Sequence, residues 1–227
     1  MRAVAIVPFV LGLAAAIPTG NDDKDRPPAD QVKIVDVNYG GSGCPKGSVT
    51  DILSKERDVV TLLFDKYVAQ SGPGIEASKN RAACQLNIKI DLPQGYQVSV
   101  VQSDYRGSIS LPEKVEASLK TTYYQSGDAR TVSRSIDFKG KIDKDYVRTD
   151  YLGLESLVWS RCGAQSMLNI KSAIEIRPLG SQKHALMTVS SRYEFCRPFN
   201  FLTAALQVDS NDLKVTQIYH LRFRKCK

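Results

Sequence analysis

Polar and apolar residues alternate along much of this chain. In CQLNIKIDL, Cys84, Leu86, Ile88, Ile90 and Leu92 fall on one side, and Gln85, Asn87, Lys89 and Asp91 on the other. A period of two marks a strand with one buried and one wet face. MLNIKSAIEI repeats the pattern through Leu168, Ile170, Ile174 and Ile176, and LKVTQIYHLRFRK through Leu213, Val215, Tyr219, Leu221 and Phe223. VTLLFDKYVAQ, YQVSVVQ and VEASLKTTYY are β-branched or aromatic and read as further strands. LPQG, QSGDA, DFKGKID and QSGPG between them have turn compositions. Helical periodicity is weak, and VTDILSKER and EASKNRA are the segments that admit a short helix. The expectation is an all-β chain: a two-layer antiparallel β-sandwich of jelly-roll type, stapled by disulfides.

The N-terminus breaks the alternation. In MRAVAIVPFVLGLAAAIPTG, Arg2 precedes an apolar run that ends in Ala14 and Ala16, an A-x-A-like cleavage site. This predicts a signal peptide over 1–16. The run has no polar face and is too short to span a bilayer, and no later stretch is long enough. We therefore expect a secreted, extracellular protein without a membrane partner. Residues 17–30 are polar and proline-containing and read as a flexible leader. Residues 31–227 read as a single monomeric domain, with no internal repeat or linker.

The 227 residues carry 31 Lys and Arg against 24 Asp and Glu, a net charge of +7. The two signs are interspersed, which fits a solvated surface and not a nucleic-acid partner. No N-x-S/T acceptor occurs.

Five cysteines, Cys44, Cys84, Cys162, Cys196 and Cys226, are an odd count for an oxidising compartment. A free thiol or an intermolecular bridge would explain it. We favour another explanation. The segment 189–207 interrupts the β pattern. It opens on Val-Ser, which GTGAGT or GTAAGT encodes, contains a Leu-Thr compatible with a branch point, and closes on a Gln compatible with a terminal CAG. It reads as a retained intron. Its removal deletes Cys196 and joins Thr188 to Val208 in a β-hairpin with a DSND turn. Four cysteines allow three pairings, and we expect Cys44 with Cys84 and Cys162 with Cys226. Zinc is disfavoured. No two cysteines lie within four residues, and His184 and His220 are the only histidines.

NYGGSGCPKGSV follows the valine-rich run VKIVDV. It lacks both G-x-G-x-x-G and the closing Lys-Ser/Thr of a P-loop. Its glycines permit positive φ and close backbone approach, Cys44 fixes the loop and Pro45 stiffens its exit. The simplest reading is a stapled turn. The functional one is a rigid loop of Tyr39, Gly40, Gly41, Ser42, Gly43, Pro45 and Lys46 that enters a cleft in a partner, with little entropy left to lose.

Taken together, NYGGSGCPKGSV, CQLNIKIDLPQGYQVSV, YRGSISL and WSRCGAQSMLNIKS resemble the fungal secreted domain-of-unknown-function family 4360, from about Val32 to the C-terminus, with 189–207 as the departure. The resemblance implies a fungal origin and an all-β fold, and brings no catalytic residues.

Hydrolase chemistry finds little footing. Neither histidine has a G-x-S-x-G partner. Glu113, Glu116, Glu155 and Glu175 are scattered carboxylates from which sequence selects no glycosidase pair. Trp159, Tyr39, Tyr105, Tyr123, Tyr124 and Tyr151 are candidates for a sugar-stacking face, although Trp159, close to Cys162, is expected in the core near a disulfide. We expect no catalytic residues, no metal, no cofactor and no enzymatic activity. Two functions stay open: an effector-like protein that binds and inhibits an extracellular host protein such as a papain-type protease, and a cell-wall or polysaccharide-binding module.

Overall fold

The structure, a computed structural model, describes residues 25–163, 165–178, 183–189 and 216–226. The described residues form two antiparallel sheets. In the first, the order is β1 (Lys33–Gly40), β5 (Arg81–Asp91), β10 (Gln165–Arg177), β7 (Glu116–Gln125) and β8 (Thr131–Lys139). In the second it is β2 (Val49–Leu53), β3 (Val59–Phe64), β12 (Thr216–Lys225), β6 (Tyr96–Leu111), β11 (Ala185–Thr188) and β4 (Val68–Ser71), with β9 (Ile142–Tyr151) also on β6.

The alternation places the core. Cys84, Leu86, Ile88 and Ile90 of β5 are 0% exposed and meet the inward residues of the facing sheet. Five tyrosines carry hydroxyls into this apolar layer, where each unpaired polar group would cost about 1–3 kcal/mol. Tyr67 donates to Ser172 Oγ at 2.9 Å, Tyr105 and Tyr123 share a bond of 2.6 Å, Tyr123 donates to Ser103 Oγ at 2.8 Å, Tyr146 donates to the Thr188 carbonyl at 2.9 Å, and Tyr219 donates to Gln217 Oε1. The bonds of Tyr67, Tyr105 and Tyr123 cross the core between the sheets, and those of Tyr146 and Tyr219 stay within the second sheet. Burial pushes the phenol pKa values up, that of Tyr105 to about 12.

Two sequence expectations change. VTDIL is strand β2 and no helix, because pairing with β3 satisfies its backbone although little of it is buried. EASKNRA gives only a 3-10 turn over Ala77–Asn80. Ahead of β1, the chain is held against the domain from Arg26 onward. The Arg26 guanidinium bonds Asp58 at 3.0 Å and lies over the Phe223 ring, and Pro27 is buried. Among the described residues, β11 and β12, which flank the segment 189–207, pair with β6 and not with each other. Both run antiparallel to β6 along one edge, β11 opposite 109–110 and β12 opposite 96–105, while β9 takes the other edge. Val189 is buried, and its amide donates to the Tyr67 carbonyl at 2.8 Å. The rest of the segment 189–207, read from sequence as a retained intron, lies outside the described residues, as do residues 1–24.

Candidate functional site

The glycine-rich loop is built against the start of β5. Gly43 N–H donates to the Ala83 carbonyl at 2.9 Å, and Ala83 N–H donates to Ser42 Oγ at 3.1 Å. Gly41 has φ +146°, and a Cβ there would lie 2.2 Å from the Ala83 carbonyl oxygen. A Cβ on Gly43 would lie 2.3 Å from the Tyr67 ring. The glycines therefore serve close packing inside the protein. Cys44, fully buried, is bonded to Cys84, and Tyr39 OH accepts from Gly47 N–H at 3.0 Å. Of the loop, Gly40, Gly41, Ser42, Pro45 and Lys46 stay exposed, Tyr39 is half-buried and Gly43 is buried.

Two of the carboxylates come together at one end of the first sheet. Glu116 and Glu175 line an open depression of about 600 Å³ with Lys114, Lys139, Arg177 and Pro178. Arg177 bonds both oxygens of Glu175 at 3.0 Å and holds its carboxyl below the ordinary range against a smaller effect of burial. Lys139 pairs with Glu116 at 3.4 Å. A glycosidase acid needs a raised pKa, and Glu175 is shifted the other way. Glu113 and Glu155 lie exposed elsewhere. Among the described residues, no three His, Cys, Asp or Glu side chains gather as a metal site.

The outward face of the second sheet is different. The alternation of TQIYHLRFRK turns Ile218, His220, Arg222 and Arg224 to the outside, beside Gln97, Gln102 and Asp104 of β6. His220 Nε2 lies 2.8 Å from Asp104 Oδ2, Thr149 donates to Asp104 Oδ1 at 2.6 Å, and Gln102 donates to both oxygens at 3.2 and 3.0 Å. Burial alone would raise the Asp104 pKa, but the bonds from Thr149, His220 and Gln102 outweigh it and hold the carboxylate charged. Tyr151 stands opposite Gln102 and is 70% exposed.

Beyond β9, residues 157–162 continue along the β6 edge. Ser160 N–H donates to the Val98 carbonyl at 2.9 Å, and Val98 N–H donates to Ser160 Oγ at 3.0 Å. This sets Trp159 on the same face, half-buried at the core margin with the Arg224 guanidinium 4.0 Å above its ring. Arg224 Nε donates to Gln97 Oε1 at 3.1 Å, and Cys162 is bonded to Cys226 close by. Of the other aromatic candidates, Tyr105 and Tyr123 are core residues, and Tyr39 and Tyr124 are half-buried. Sequence reasoning missed the Asp104–His220 pair and the Trp159–Arg224 stack. The wet positions of β12 were legible from alternation, but which β6 residues they meet depends on long-range register.

Residues 30–201 match the family model described as "Domain of unknown function (DUF4360)". A relative from Arthroderma benhamiae, "Uncharacterized secreted protein", is 40% identical over 93% of this chain and 79% of its own length. Among solved structures, the chain has 9% identity and a TM-score of 0.25 to TmCBM61 in complex with β-1,4-galactotriose, over 86% of this chain and 91% of that one. It has 9% identity and a TM-score of 0.21 to a family 11 carbohydrate-binding module from Clostridium thermocellum, over 69% and 87%. Likenesses at these scores decide neither fold nor ligand. The family match covers most of the chain, and the relative is alike over nearly all of it: this is a secreted fungal protein of the DUF4360 family.

Proposed function

We propose that this protein is a non-catalytic, wall- or polysaccharide-binding module that takes glycan chains on the outward face of β12, β6 and β9. The observation that carries this reading is Tyr151, an aromatic ring 70% exposed beside Gln102 and the Asp104–His220 pair. A pyranose ring has apolar C–H faces and a rim of hydroxyls. It gains from one flat aromatic surface and from polar groups already held in place. Here the polar groups hold one another, so little side-chain entropy remains to be lost on binding. An open sheet face also suits a chain polymer, which a closed pocket would not admit.

The alternative is insertion of the Tyr39–Lys46 loop into the cleft of an extracellular protein such as a papain-type protease. Its support is weaker, because Gly41, Ser42 and Gly43 are engaged with Ala83 and Tyr67, and a cleft would meet mainly Gly40 and the Pro45–Lys46 tip.

Retention on insoluble chitin, glucan and cellulose and on immobilised galactan separates the two. Tyr151→Ala is expected to abolish retention that Lys46→Ala leaves intact. Wild-type protein washing through all four polymers, or equal retention of Tyr151→Ala, rejects the proposal. Inhibition of a papain-type protease at micromolar protein, lost in Lys46→Ala, would establish the alternative.

A further inference from the structure

We infer that the face ends in a subsite for acidic sugars, so that the preferred ligand is a uronate-bearing polysaccharide. This inference rests on the glycan-binding reading above and names the class of glycan.

The corner is assembled from three separate parts of the chain. Arg224 comes from the end of β12, Trp159 and Arg161 from the segment along β6, and Asp128 and Arg130 from the turn between β7 and β8. Arg161 Nη2 donates to the Gly127 carbonyl at 2.6 Å. Gly127 has φ +79°, and a Cβ there would sit 3.0 Å from that guanidinium, so glycine keeps the room open. Arg130 makes a bidentate pair with Asp128, Nε donating to Oδ1 at 3.2 Å and Nη2 to Oδ2 at 2.7 Å. The pair holds Asp128 down to about 2, helped at longer range by Arg161. Burial, and more weakly the charge of Arg130, lower the Arg224 pKa. Arg130 thus pairs with Asp128, Arg161 holds the neighbouring Gly127 carbonyl, Arg224 lies over Trp159 two residues from Arg161, and Lys225 is exposed beside Arg224 in sequence.

Charge of one sign gathered next to an aromatic ring is what a sugar carboxylate requires. Guanidinium groups bind carboxylates through paired N–H donors, and the indole supplies the stacking surface. Neutral sugars gain nothing from the excess charge. The Cys162–Cys226 bond holds the corner together, because its two cysteines are the neighbours of Arg161 and near neighbours of Arg224. The corner also continues the Tyr151 platform. Gln97, beside Arg224, and Gln102, opposite Tyr151, are five residues apart on β6, about 17 Å at 3.3 Å per residue. One extended glycan can lie along both.

The test compares polygalacturonate, its methyl-esterified form and neutral β-1,4-galactan, using the disulfide-bonded protein. Wild-type protein is expected to bind polygalacturonate at least about tenfold more tightly than the other two, with the advantage shrinking as salt is added. Arg161→Gln and Arg224→Gln should each remove most of that advantage. Asp128→Asn, which deletes the one carboxylate, should strengthen polygalacturonate binding. Equal affinity for all three polymers, lost in Tyr151→Ala, overturns the acidic subsite and leaves the platform standing. Failure to bind any polymer overturns the platform and the subsite with it. Binding of duplex DNA or anionic vesicles as tightly as polygalacturonate would make the corner a general polyanion patch and overturn its assignment to sugars.

Discussion

The two disulfides do opposite things with the chain around them. Cys44–Cys84 closes a loop into the protein. Both cysteines are fully buried, and the glycines beside them let the backbone lie against Ala83 and Tyr67. Cys162–Cys226 closes a corner outward. Cys162 is exposed, and the residues beside the bond are Arg161, Trp159 and Arg224. Chain entropy does not separate them: sequence separations of 40 and 64 give nearly the same stabilisation, about 4 kcal/mol each. The difference lies in the flanking residues. Small side chains let a crosslinked loop become core, whereas long charged ones make the same crosslink a mount for display.

The largest expected effect of a single substitution is at the glycines. Gly43→Ala puts a methyl group 2.3 Å from the Tyr67 ring. That ring cannot yield, because it is 0% exposed, tilted against Phe64 with centroids 5.3 Å apart, and bonded to Ser172. Overpacking of this kind should cost about 3 kcal/mol or more in chemical denaturation. Gly127→Ala at the other corner meets only the tip of Arg161 and a left-handed backbone, for about 1–2 kcal/mol. A larger loss at Gly127 than at Gly43 would undo the contrast between buried clasp and displayed corner.

The disulfides come next. Replacing Cys44 and Cys84 with serine should cost about 4 kcal/mol of loop entropy and a further penalty for hydroxyls set in the core. Replacing Cys162 and Cys226 should cost no more than the entropy, because Cys162 already faces water. Polysaccharide retention sharpens the distinction. The first double variant keeps it in whatever fraction stays folded, and the second loses it while folded. Retention unaffected by the Cys162 and Cys226 replacements would show that this bond does not organise the face.

The strands were legible because sandwich strands expose one side. In β5, β10 and β12 the hydrophobic side chains recur every second residue, and that rhythm survives any register. β2 was not legible. It is an edge strand with burial too slight to imprint a period, so its sequence admitted a helix until pairing with β3 decided. The in-line course of β11 and β12 was equally hidden, since alternation fixes which face a residue takes and not which strand it joins. The glycine loop was found, but its orientation depends on Tyr67, more than twenty residues away, whose ring occupies the space that Gly43 vacates. The Arg224–Trp159 stack joins positions far apart in sequence, and no local pattern links them.

The smallest expected effect tests what display costs the core. Tyr151 faces out on β9, so its neighbour Asp150 points the other way, toward the sandwich margin, opposite Ser103. Burial raises the Asp150 pKa. Arg134, 3.7 Å away, offsets this only in part, and Asp150 Oδ2 has no hydrogen-bond partner among the described residues. A carboxyl whose folded pKa lies above its unfolded value of about 3.9 favours the fold below that value. The contribution is lost as pH rises through the folded pKa. At neutral pH the charged group is therefore a small net cost, held by solvent screening to a few tenths of a kcal/mol. Asp150→Asn should raise the Tm slightly at pH 7 and lose that gain below about pH 4. It should leave polysaccharide retention unchanged, because Tyr151 and Asp150 serve opposite faces. A fall in Tm at pH 7 would mean that the Arg134 pair is worth more than the burial it relieves, and that the presenting face was built without cost to the core.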